Sequence, residues 1–126
     1  MELEDIAHAL GVRIVVDKPS GRRWGAYCNR TRTIRLHPDL GPLQRDYTLA
    51  HEIGHAFHEH EGCHPRTEWD ADVWAATWLI PHTQWDQATS IHDTVEAVAT
   101  ELGVLPKLIH IYHENMRRQT NASRTA

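Results

Sequence analysis

At 126 residues the chain is the size of one domain with one hydrophobic core. Its 40% hydrophobic and 24% charged residues exclude disorder and fibre, and its net charge of −4 argues against a general nucleic-acid binder. Two Cys, Cys28 and Cys63, make no disulfide framework, no apolar run reaches membrane-span length, and the acidic start Met1-Glu2-Leu3-Glu4-Asp5 lacks a signal-peptide pattern, so a cytoplasmic protein is expected.

Residues 3–10 read as a short helix ended by Gly11. Val12 to Val16 reads as a β-branched strand stopped by Pro19-Ser20-Gly21. Trp24 to Tyr27 and Thr33 to Leu36 read as two strands joined across residues 28–31. The second alternates Ile34 and Leu36 with Thr33 and Arg35, as a half-buried strand does. The expected sheet has three antiparallel strands.

Pro42 suits a helix start, and a helix is expected from about Leu43 to His60, closed by Gly62. Leu43, Tyr47, Ala50, Gly54 and Phe57 form its expected buried face. Further helices are expected over about 67–79, 92–102 and 106–118, with residues 119–126 as a disordered tail.

The mid-helix run His51-Glu52-Ile53-Gly54-His55 fits H-E-x-x-H. Positions four apart on a helix stand nearly one above the other, so both imidazoles can reach one metal ion. Glu52, on the adjoining strip, can take a proton from an attacking water without ligating the metal. A third ligand is needed. A His six residues beyond the second, with a Gly between, fails here, because those positions hold Glu61 and His58. A Glu from the next helix does fit: Glu68 lies in its first turn. Asp72, one turn on, is placed to accept the other ring N–H of a ligating His, and Asp70 points elsewhere.

The run from Leu49 to His55, followed by Glu68-Trp69-Asp70-Ala71-Asp72-Val73-Trp74-Ala75-Ala76-Thr77-Trp78-Leu79-Ile80-Pro81, resembles the ImmA/IrrE metallo-endopeptidases. Ile80 and Trp78 replace apolar residues of that family's second motif. The resemblance covers roughly residues 24–118. It implies a gluzincin-like zinc fold and cleavage of a helix-turn-helix repressor that silences a phage, mobile element or stress regulon. The resulting expectation is an α+β domain: a sheet packed on a catalytic helix with about four further helices. Residues 1–90 would form the sheet and zinc core, and residues 91–118 a C-terminal helical hairpin. One Zn²⁺ would be held by His51, His55 and Glu68, with Glu52 as general base.

Tyr47, His64, His110, Tyr112 and His113 are candidates for a second group stabilising the transition state. His58, His60, Cys63 and His64 crowd the helix end, but their spacing matches no standard zinc module. Trp74 reads as core packing rather than a substrate groove. Residues 96–118 resemble a helix-turn-helix, but Leu105-Pro106 interrupts the pattern. A packed hairpin without specific DNA binding is preferred. Arg22, Arg23, Arg30, Arg32 and Arg35 flank the strand Thr33 to Leu36, and the last three are candidates for docking an acidic substrate segment along a free edge of that strand. The rival functions are a DNA-binding regulator with a structural metal, and a metal-stabilised interaction or antitoxin-like module without turnover.

Overall fold

A computed structural model describes residues 2–62 and 64–125. Helix α1 (Leu3–Ala9) opens on a capping box, in which the Asp5 carboxylate accepts from the Glu2 backbone N–H at 3.0 Å. Strands β1 (Arg13–Val16), β2 (Gly25–Cys28) and β3 (Thr33–Leu36) follow, then α2 (Pro42–Phe57), α3 (Pro65–Leu79), α4 (His82–Ile91), α5 (Val95–Leu102) and α6 (Pro106–Thr125). The fold is α+β, with the sheet and α2 in contact and the other helices behind.

The sheet is mixed rather than antiparallel: its order is β1-β3-β2, with β1 parallel and β2 antiparallel to β3. The segment 17–24 carries the chain past the central position, so β2 forms the far edge and the β2–β3 hairpin folds β3 back into the middle. The most buried strand takes that place, with Ile34 and Leu36 sealed against the core. Alternation therefore marked Ile34 and Leu36 correctly, but Thr33 on the other face is buried as well, and only Arg35 is exposed. Alternation carries no information about which strand lies beside which.

In α2, Tyr47, Ala50 and Gly54 are buried as the periodicity requires, whereas Leu43 and Phe57, at the ends of that stripe, are exposed. The helix closes earlier than Gly62. Glu59 takes a left-handed φ of 56°, its N–H donates to Ala56 O, and the His60 N–H donates to His55 O. That pair of bonds is a Schellman motif with Glu in the usual Gly position.

Helix α4 occupies a segment that carried no expected element, so five helices rather than four accompany α2. Trp85 and Ala88, three apart, are both buried beneath it. Behind it, α5 is capped by Thr94, whose side chain accepts from the Ala97 N–H, and ends on left-handed Gly103. Val98, Ala99, Val104, Leu108 and Ile109 put the apolar side of the α5–α6 hairpin into the main core. Several cations of this region are engaged locally: Lys107 lies over the Tyr47 ring, Arg118 over the Trp69 ring, and Arg117 pairs with Glu114. Helix α6 continues through residues 119–125, where the sequence suggested a disordered tail; residues 119–124 are exposed, and their backbone keeps the helical hydrogen bonds of the turns before them. Among the described residues no helix is long and apolar enough to cross a membrane.

Candidate metal centre

Helix α2 crosses α3 at unusually close range. A Cβ on Gly54 would meet Ala71 Cα and O at 3.0 Å and Trp74 Cβ at 3.1 Å. The bare Gly54–Ala71 contact lets the helices touch backbone to backbone. This brings Glu68, one turn before Ala71, over the two His of α2. His51 Nε2 lies 2.8 Å from Glu68 Oε2, His55 Nε2 lies 3.2 Å from the same oxygen, and the two Nε2 atoms are 3.2 Å apart.

These three donors form the group able to hold a metal ion among the described residues. Ligand atoms around tetrahedral zinc, at about 2.0–2.1 Å from the ion, stand about 3.3 Å apart. The observed spacing is close to that, and a His₂Glu donor set is one that zinc accepts. The residues therefore fit the ion.

Asp72 stands behind His51, its Oδ1 2.8 Å from His51 Nδ1, and also accepts from the Tyr47 hydroxyl at 2.6 Å. Burial works against a charged His51, but the Asp72 hydrogen bond and the carboxylates of Glu52, Asp72 and Glu68 outweigh it and raise its pKa. His55 moves the other way, because burial and the neighbouring His51 both disfavour its cation. Burial pushes the Asp72 carboxyl up, but hydrogen bonds from His51 and Tyr47 prevail and hold it below its ordinary value.

Glu52 is buried, 7% exposed, at the floor of the same cleft. Burial pushes its carboxyl up to about 7, with His51 pulling down and Glu68 pushing up. The opposite wall is β2. Gly25 makes this approach possible, since a Cβ there would sit 2.5 Å from Thr48 Cγ2 and 3.4 Å from Glu52 Cγ. The cleft holds about 540 Å³ between β2 and α2, with Arg22, Arg23, Trp24, Gln44 and His60 also on its walls.

The structure thus brings His51, Glu52, His55, Glu68 and Asp72 together, and disperses most other candidates. Tyr47 lines the cleft, but its hydroxyl is committed to Asp72, and burial and that bond drive its pKa well above the ordinary value. His64 is exposed and caps α3, its Nδ1 accepting from the Arg66 N–H at 3.3 Å. His110 and His113 border a separate hollow near α4 and α5. Tyr112 is buried and stacks on Trp85. None of these last three lines the metal cleft.

The arginines also divide. Arg32 is a structural clip, donating to Tyr27 Oη, Asn29 Oδ1, Ala56 O and Leu10 O, and it holds the hairpin turn with a left-handed φ of 52°. Arg35 pairs with Asp17 on the outer sheet face, and Arg30 is exposed in the hairpin turn. Strand β3 is central and has no free edge; the cleft is bordered by β2. Trp74 is half-buried and stacks on exposed Trp78, away from the cleft. Cys63 lies outside the described residues.

The sequence reading missed Gly25, Gln44 and Thr48. Stepping back from His55 by four, three and four along α2 reaches His51, Thr48 and Gln44, and the last two are joined by a 3.0 Å hydrogen bond. That helical stripe was available as a signal. The approach of Gly25 was not, because it depends on where β2 lies.

The family model described as the IrrE N-terminal-like domain, Peptidase_M78, matches residues 7–111. No curated protein matched the sequence. The match takes in the end of α1 and all of β1, upstream of the segment that carried the resemblance.

Proposed function

Since the chain belongs to the IrrE N-terminal-like family of metallopeptidases, we propose that it is a zinc-dependent endopeptidase acting on an extended segment of a protein substrate. One observation carries this reading: three metal-ligand donors and a buried carboxyl share the floor of one cleft. His51, His55 and Glu68 would hold the zinc, which when bound supplies Lewis-acid activation of water and of the scissile carbonyl.

The chain's own residues do the rest. Glu52, buried on the cleft floor beside the ligand set, takes a proton from the attacking water and returns it to the leaving amine. Asp72, itself held by Tyr47, keeps the His51 ring in one orientation. Edge strand β2 offers backbone groups along the cleft, so an extended peptide can add beside it. The substrate class we propose is a helix-turn-helix repressor, on the strength of the family resemblance, cut in an exposed linker.

Purified protein should carry about one zinc per chain. His51→Ala, His55→Ala and Glu68→Ala should each lose it. Glu52→Gln should keep zinc while repressor cleavage falls by a factor on the order of 10² or more. Cleavage at the parental rate by Glu52→Gln would remove Glu52 from the mechanism.

A further inference from the structure

His60 is placed over His55 by the way α2 ends. In the Schellman motif at residues 55–60, the residue after the left-handed position folds back onto the third residue from the helix end. Here those two positions are His60 and His55. The contact that is usually apolar is instead made by two imidazoles, with His55 Nδ1 3.1 Å from His60 Nδ1. The two ring planes stand 71° apart, and His58 stacks on His60. The His60 side chain is only 11% exposed, so the stacked pair and the turn leave its ring little freedom.

A metal-binding His almost always donates its second ring N–H to an acceptor that fixes the ring. Asp72 does this for His51. His55 turns Nε2 toward Glu68 and His51, so its Nδ1 must carry the proton, and the atom facing it is His60 Nδ1. We propose that His60 is the hydrogen-bond acceptor that positions His55, holding the His55 proton on Nδ1 and its Nε2 lone pair toward the metal. His60 then carries its own proton on Nε2. That atom lies 3.8 Å from Asp70 Oδ2, too far for a hydrogen bond but near enough for the carboxylate to favour this tautomer. The proposal rests on the reading of His51, His55 and Glu68 as a zinc site.

The test is zinc affinity of the purified full chain, measured by competition with a chelator, with the visible spectrum of the cobalt-substituted protein as a second readout. His60→Asn places an amide oxygen near the position of Nδ1 and keeps an acceptor. His60→Phe keeps the ring and its stacking and removes the acceptor. Melting of the zinc-free variants checks that both fold. The expected result is near-parental affinity for His60→Asn and a loss of about 10–100-fold for His60→Phe, with a shifted cobalt spectrum. Parental affinity in His60→Phe, or equal losses in both variants, would overturn the proposal, because packing rather than acceptance would then be the role. His51→Ala separates the two readings: if the parent binds zinc no more tightly than His51→Ala, the zinc site itself is wrong, and the role of His60 falls with it.

Discussion

Glu52 costs the fold stability. Its carboxyl is buried against like charges, and its pKa rises from 4.5 to about 7. A raised carboxylate pKa means the folded state binds more protons than the unfolded state between these two values. Stability therefore falls as pH climbs through that window, and the full cost is present above it. The shift corresponds to about 3 kcal/mol. In zinc-free protein, Glu52→Gln should melt several degrees above the parent at pH 8, and the gap should close as pH falls toward 4.5. Thermal scans at matched pH decide this, and parallel pH profiles for the two proteins would show that Glu52 is not held at a raised pKa. A bound dication would lower the Glu52 pKa and shrink the effect, so the metal must be removed first. At this scale much of the site was legible. His51, Glu52 and His55 follow from the H-E-x-x-H run on an expected helix, and Glu68 with Asp72 from the next helix start. His60 was not legible as a partner of His55, because that contact depends on a left-handed Glu59, a conformation rare outside Gly.

Between elements, the contact that sets the ligand geometry is α2 against α3 at Gly54. An added methyl there has no soft neighbour, since Ala71 presents backbone. Gly54→Ala should force the helices apart, cost about 1–3 kcal/mol of stability, and weaken zinc binding by moving Glu68 away from the two His. Melting temperature and zinc affinity should drop together. Undiminished zinc affinity in a destabilised variant would show that Glu68 can follow the ion across a wider gap. Several elements were readable because their punctuation is local: Gly11, Pro42 and Pro81 mark ends, whereas the Thr94 cap was passed over and α5 begins at Val95 rather than near residue 92. Helix α4 escaped because no side chain caps its start and its core signal is confined to Trp85 and Ala88.

The whole molecule adds what no local pattern contains, the order of the strands. With β3 in the centre, that strand has no free edge, and the docking surface we propose is β2 with the segment entering it. Arg22 and Arg23 stand at the cleft mouth, while Arg30 lies in the hairpin turn and Arg32 is held inside the fold. An acidic stretch flanking the scissile bond would therefore meet Arg22 and Arg23. Arg23 also acts on the Glu52 charge, so reversing it would confuse docking with chemistry. Arg22→Glu is the cleaner variant. It should raise KM for an acidic substrate several-fold, with kcat and zinc content unchanged, and added salt should weaken the parent toward the variant because exposed charges are screened within about 10 Å at 0.1 M. Arg30→Glu should leave KM alone. If Arg30→Glu raises KM as much as Arg22→Glu, the substrate reaches past the cleft onto the hairpin, and recognition is spread over the sheet rather than focused at the mouth.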